Sequence, residues 1–270
     1  HMYCDISTHM HFSSATFYRL SLGKLLPHHL RALYIDCDTI VLADLCHLWD
    51  TPLDGAIIAA TPDLIMKNFV SAGIQSMQEA GAMPAGRYLS EYLELRNKGE
   101  TYFQAGVILF DLEAFREANI TDTAIKDLSS RCYWFLDQDI LNKYLENRVK
   151  MLDTSWNCVN SINEIFPYLD ANWRAKALED LNSPKIVHYA GYEAKPWNNH
   201  KAPLSFFYWF FLRKTFWYET VFHKNTFSRD ITVSFHHNLL RQTLTRGWRL
   251  MPRVMRRPLA GVAARIKRSL

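Results

Sequence analysis

A short apolar run, Ala32-Leu33-Tyr34-Ile35, leads straight into Asp36-Cys37-Asp38. That junction limits what the chain can fold into more than any other feature. The run reads as a buried strand, and it delivers two carboxylates at its carboxyl end. In an extended segment residues two apart share a face, so Asp36 and Asp38 point one way and Cys37 the other. Two carboxylates with no neutralising cation beside them suit a hard divalent ion that also takes phosphate oxygens and water. The plainer alternative is a turn in which the aspartates accept backbone hydrogen bonds.

The rest of the pattern alternates strands and helices. Ser13 and Ser14 can cap a helix over Phe17, Leu20, Leu25 and Leu26 that Pro27 helps to end. Strands are expected over Ala56 to Ala60, Val107 to Phe110, Val149 to Leu152 and Ile186 to Tyr189. Helices are expected over Leu112 to Glu117 and Asp137 to Glu146, with Asp137 as a capping residue. Leu64 to Gly99, broken by Gly81, Pro84 and Gly86, reads as two weak helical pieces in a mobile flap. Such alternation is that of an α/β layer structure.

Beyond Pro203 the character changes. Aromatic residues crowd Phe206 to Trp217, and residues 241–270 carry nine basic side chains and no acid. The formal net charge is +4, so the tail is basic and the remainder mildly acidic. Leu240, Leu244, Trp248 and Met251 form one helical stripe, and Leu259, Val262, Ile266 and Leu270 another. Residues 203–270 therefore read as a region that lies on an anionic membrane surface, after a catalytic domain over residues 1–202. An acidic body offers no face for nucleic acid. The five cysteines include no C-x-x-C pair, which favours a reducing compartment over a disulfide framework or a structural zinc site.

The second chemical signal is His188-Tyr189-Ala190-Gly191-Tyr192-Glu193-Ala194-Lys195-Pro196-Trp197. A histidine on an apolar strand is ordinarily a satisfied core residue. Gly191 permits close backbone approach to a ligand, and Lys195 offers a point charge suited to a diphosphate.

Five ordered stretches together resemble the family 8 retaining glycosyltransferases, which include lipopolysaccharide galactosyl- and glucosyltransferases and glycogenin. They are His11 to Leu20, Leu33 to Asp38, Tyr102 to Val107, Asp137 to Asn142, and His188 to Trp197. The resemblance implies a GT-A-type fold: a Rossmann-like mixed sheet flanked by helices. It implies a UDP-sugar donor and Mn²⁺, with Mg²⁺ as the alternative, held by Asp36, Asp38 and His188. Gly191 and Lys195 would contact the phosphates, and His11 and Arg19 would lie near the donor, Arg19 approaching its sugar. Gln104, Ala105 and Gly106 would line the donor site, and Asp137 and Gln138 would sit by the transferred sugar as the catalytic positions. The implied reaction moves galactose or glucose to a glycan such as lipopolysaccharide, at the cytoplasmic face of a bacterial inner membrane.

Two departures stand out. The family usually has Asn where Gln104 stands, which puts the amide one methylene further out. The family's first strands, which bind the uridine, would precede His11, so the sequence is expected to be incomplete at its amino-terminal side. Two other readings compete: a haloacid-dehalogenase-type phosphatase using Asp36 and Asp38, and a catalytically degenerate glycan-binding module on a membrane.

Overall fold

The computed structural model describes residues 14–161 and 166–226. Two sheets organise the chain. The larger has the order β1-β4-β3-β5, with β1 Arg31–Ile35, β3 Ile58–Pro62, β4 Phe103–Asp111 and β5 Val149–Met151. β4 runs antiparallel to both β1 and β3, while β5 joins β3 in parallel. The smaller sheet has the order β2-β7-β6, from β2 Thr39–Val41, β6 Cys158–Val159 and β7 Ile186–His188. Here β7 is antiparallel to β2 and parallel to β6. This is the mixed α/β architecture expected of the sequence.

The larger sheet is covered on both faces, which explains why its central strands read as unbroken apolar runs. Successive side chains of β4 enter different cores. Ile108 and Phe110 pack with Ile58, Ala60, Phe115, Ile140 and Leu141. Val107 and Leu109 pack with Ala59, Leu48, Trp156 and Ile186 on the other side. The helix Leu112–Glu117 starts where expected, because Asp111 leaves β4 and its carboxylate caps the Ala114 N–H at 2.9 Å.

Three expectations are corrected. The second predicted strand starts at Ile58, since Ala56 N–H closes a turn on Leu53 at 2.9 Å. The 64–99 segment contains a helix Leu64–Ala72 and a later turn of π-helix, Tyr88–Tyr92, but it is no flap over a site. Tyr88, Leu89, Leu93 and Leu95 are buried in the main core, so the glycine and proline breaks serve tight turns within packed structure. The third concerns Asp137, which does not cap its helix, Leu136–Tyr144. Phe135 precedes the first turn, and its N–H is taken by the side chain of Asp139 at 2.7 Å.

Asp139 is wholly buried, and both of its oxygens accept from tyrosines, Tyr88 and Tyr102. Burial, opposed by these hydrogen bonds, pushes its carboxyl up to about 6. In the unfolded chain an aspartate titrates near 4. The native state thus holds a proton that the unfolded state has lost between about pH 4 and 6. Stability from this group is complete below that window and falls as the pH rises through it, by about 3 kcal/mol. Urea unfolding of the protein and of Asp139→Asn between pH 4 and 7 should show that slope only in the unaltered chain. Parallel pH profiles would refute it.

The final described segments are the helices Ser205–Leu212 and Tyr218–Thr226. The stripes between Leu240 and Leu270 lie outside the described residues, as does His11. Among the described residues no helix is long and apolar enough to cross a membrane.

Candidate donor and cation site

The site is assembled where the two sheets meet. β1 ends at Ile35, and the chain stays beside β4 for one further bond, Asp36 N–H to Gly106 O at 2.8 Å. It then turns at Asp36 to Thr39, where Thr39 Oγ1 donates to Asp36 O, and enters β2. β2 pairs with β7 so that Thr39 faces His188, and Tyr189 N–H donates to Asp38 O at 3.0 Å. Strand pairing thereby carries His188 to the aspartates across 150 residues of sequence. The carboxylates of Asp36 and Asp38 and the imidazole of His188 offer ligand atoms that all lie within 4.8 Å of one another.

The geometry suits a cation. His188 Nε2 lies 3.3 Å from Asp38 Oδ1 and 3.7 Å from Asp36 Oδ2. The imidazole is buried, whereas the two carboxylates keep about a fifth of their surface open, 22% and 19%. Two oxygens and one nitrogen therefore converge on a half-open position, with room left for ligands from outside the protein. Such a mixed O,O,N set is chemically fit for a divalent transition ion, and two adjacent carboxylates repel one another without a positive charge beside them. On Asp38 burial is outweighed by His188 and Lys195, which hold its carboxyl well below the usual range.

Lys195 reaches this cluster from the loop after β7. Its Nζ contacts Asp38 Oδ2, donates to Tyr189 O at 3.1 Å, and sits 5.3 Å from the centre of the Trp197 ring. Gly191, at the start of that loop, has a φ of +91° with no neighbour near a would-be Cβ, so the turn itself requires glycine.

Arg19 forms the other wall. Its guanidinium is buried against the Tyr34 ring, pairs with Asp36 Oδ1 and Asp137 Oδ2 at 2.8 Å each, and donates to Ala105 O. Tyr34 supplies a second donor to Asp36 Oδ1 at 2.8 Å. Asp137 also accepts from Thr16 Oγ1 at 2.6 Å. Burial outweighs the charge of Arg19 and leaves the Asp137 carboxyl raised.

Between Ala60 and Thr61 the register of β3 on β4 shifts, and Thr61 pairs with Gln104. Residues 105–107 thus leave the β3 ladder, and side chains take over their backbone groups. Gln138 Oε1 accepts the Ala105 N–H at 3.0 Å, and its Nε2 donates to Asp63 at 2.7 Å and Tyr102 at 3.2 Å. Asn142, one helical turn on, accepts from Phe103 N–H and donates to Phe103 O. Gln138 and Asn142, one turn apart on that helix, therefore satisfy backbone groups of β4 next to the place where β3 parts from it.

Gln104 turns back toward its own strand. Its Oε1 accepts from the Gly106 N–H and from Asn157 Nδ2, and Asn157 Oδ1 faces His188 Nδ1 at 2.9 Å. Of the predicted residues, Arg19, Asp36, Asp38, Gln104, Ala105, Gly106, Asp137, Gln138, His188 and Lys195 are thus joined by hydrogen bonds or ion pairs. Sequence reasoning missed Thr16, Tyr34, Asp63, Tyr102 and Asn157. Thr16, Tyr34 and Tyr102 fall inside the stretches singled out, but nothing in the sequence marked them; Asp63 and Asn157 carried no signal at all.

The sequence model described as glycosyl transferase family 8 matches residues 2–201. General stress protein A of Bacillus subtilis is 30% identical over 217 residues, 77% of this chain and 68% of that protein. Lipopolysaccharide 1,2-glucosyltransferase of Escherichia coli is 28% identical over 69% of this chain and 50% of its own length. The chain thus spans about half of that relative. Among solved structures, the WbbM bifunctional glycosyltransferase superposes with a TM-score of 0.74 and 36% identity, over 82% of this chain and 39% of that one. Galactosyltransferase LgtC, solved with donor and acceptor sugar analogs, shares the fold with a TM-score of 0.55 at 23% identity, over 85% of this chain and 74% of that one.

Proposed function

Because the chain belongs to glycosyl transferase family 8, we propose that it transfers a hexose, galactose or glucose, from a UDP-sugar to a cell-surface glycan such as lipopolysaccharide. Family membership removes the phosphatase alternative for Asp36 and Asp38. The observation that carries the proposal is the convergence of Asp36, Asp38 and His188 with Lys195 alongside. These three residues would hold Mn²⁺, preferred over Mg²⁺ because one ligand is an imidazole. The bound ion would neutralise charge on the departing diphosphate.

The protein's own residues supply the rest. Lys195 would share its charge with the diphosphate, and Gly191 would let the backbone approach it. Arg19 would hold Asp36 and Asp137 in place at the sugar side. Gln138 would fix Ala105 beneath the sugar, and Gln104, Ala105 and Gly106 would form the donor floor. A two-step scheme through a carboxylate nucleophile fits poorly. Asp137 is engaged by Thr16 and Arg19, and Gln138 is an amide with both ends bonded. We therefore favour same-face substitution: the bond from the anomeric carbon to the diphosphate breaks as the acceptor oxygen bonds on that face. The acceptor proton passes to the departing diphosphate oxygen. An inverted anomer in the NMR spectrum of the product would exclude this route.

Calorimetry tests the site directly. UDP should bind in the presence of Mn²⁺ and lose at least about 10-fold in affinity with EDTA or in Asp36→Ala. Equal binding in all three conditions would sink the cation site. Mn²⁺-dependent binding of a glycan without turnover would favour the glycan-binding module instead.

The acceptor class is supported by the name of the Escherichia coli relative. Residues 203–270 are the part we assign to the membrane surface, following a catalytic domain over 1–202, with the protein peripheral on the cytoplasmic face of a bacterial inner membrane. No side chain of the helix Ser205–Leu212 is buried, and Phe216 and Trp217 beyond it are 83% and 55% exposed, next to Arg213 and Lys214. An aromatic surface edged by cations is the composition of an interfacial anchor. Vesicles rich in anionic lipid should co-sediment the chain at low salt and release it at 1 M salt. Equal recovery on neutral vesicles would refute the electrostatic part.

A further inference from the structure

The hydrogen bonds behind His188 have a direction that can be read from one end. The Gly106 N–H can only donate, so the Gln104 atom 2.5 Å from it is the amide oxygen. That same oxygen meets Asn157, which must therefore present its NH₂ group. The amide of Asn157 is thereby oriented, and its oxygen is the atom 2.9 Å from His188 Nδ1. An amide oxygen can only accept, so Nδ1 carries the hydrogen. In a neutral imidazole the other nitrogen then has the lone pair. That nitrogen, Nε2, is the one aimed at Asp36 and Asp38.

Packing leaves this arrangement little slack. Asn157 and His188 are 5% and 2% exposed. The imidazole lies over Gly106 so closely that a Cβ there would fall 2.6 Å from Nδ1. The Asn160 N–H holds the His188 carbonyl at 3.1 Å on the other side.

We infer that Asn157, itself oriented by Gln104, is a positioning residue that keeps His188 in the Nδ1–H tautomer and so presents Nε2 to a divalent cation. The inference rests on reading Asp36, Asp38 and His188 as the cation site. It also gives Gln104 a task unlike a sugar contact, since its amide oxygen is spent on Gly106 and Asn157. Outer residues that orient a ligating histidine typically contribute 10–100-fold to metal affinity.

Two readouts separate this role from a merely structural one. Long-range ¹H–¹⁵N correlation spectra of the chain with UDP and diamagnetic Mg²⁺, with His188 assigned by the signal lost in His188→Gln, report which imidazole nitrogen carries the hydrogen. The unaltered chain should show Nδ1–H. Asn157→Ala should move the population toward Nε2–H and lower Mn²⁺ affinity roughly 10–100-fold at constant UDP, read by electron paramagnetic resonance. Asn157→Asp, which keeps an acceptor opposite Nδ1 but sets a carboxylate oxygen against Gln104 Oε1, should retain the Nδ1–H and recover part of the affinity lost in Asn157→Ala. A thermal melt of each variant checks that it is folded. An Nε2–H imidazole in the unaltered chain, or an Asn157→Ala variant unchanged in both readouts, overturns the relay. Failure of the unaltered chain to bind Mn²⁺ with UDP overturns the cation site, which distinguishes the two.

Discussion

Gly106→Ala is expected to lose Mn²⁺-dependent UDP binding by roughly 10–100-fold. The added Cβ would sit 2.3 Å from His188 Cε1, 2.6 Å from Nδ1 and 2.8 Å from Gln104 Oε1. The two nearest atoms belong to the rigid imidazole ring and not to the end of a flexible chain. His188 is held by β7 between β2 and β6, and Gln104 is bonded to Asn157 and Gly106. The imidazole must move, and with it Nε2 leaves the space between the aspartates. Overpacking of this kind costs about 1–3 kcal/mol of stability, so the variant should remain folded while its affinity collapses. Calorimetry with UDP and Mn²⁺, run beside a thermal melt, reads both quantities. Binding within a few-fold of the unaltered chain would mean that His188 is not a ligand.

Arg19→Met is expected to be the most destabilising substitution in the site, by about 3–5 kcal/mol at pH 7. Arg19 answers two carboxylates and a carbonyl at once, Asp36, Asp137 and Ala105 O. Without it Asp137, 4% exposed, loses its cation and keeps uncharged donors such as the Thr16 hydroxyl. Lysine does not substitute well, because a single ammonium cannot fork to three acceptors set apart by a planar guanidinium. Arg19→Lys should therefore recover less than half of the loss. The deficit has a definite pH dependence. Burial already raises the Asp137 carboxyl, and removing its cation raises it further. The variant can then relieve the buried charge by taking a proton, so its deficit shrinks as the pH falls from 7 toward 5. Urea unfolding at both pH values is the measurement. Arg19→Lys within 1 kcal/mol of the unaltered protein would show that the three contacts do not share one anchor.

These two positions show how unequally the site was legible. Arg19 and Gly106 were both found by family resemblance, but with other expectations attached. Arg19 was expected to approach a sugar; its guanidinium is committed to Asp36, Asp137 and Ala105. Gly106 was expected to line the donor; it also vacates the volume that His188 fills. Asp139 lies in the middle of the Asp137 to Asn142 motif with no role expected of it, yet it closes the helix start expected of Asp137.

What the sequence determined by itself was local. The apolar run before Asp36, the apolar run of β4 and the helix from Leu112 each depend on residues a few positions apart. Hydrophobic continuity and capping act at that range, and so those elements appear where expected. The family assignment also came from the sequence, through motifs kept in order. The tertiary structure alone decided the rest. β2, three residues long, is too short to carry a pattern, yet its pairing with β7 is what brings His188 to Asp38. The register shift at Ala60, the relay from Gln104 through Asn157 to His188, and the burial of the 64–99 segment likewise have no local signature. Each joins groups tens of residues apart, and close packing, which allows only one arrangement of neighbours, chooses the partner.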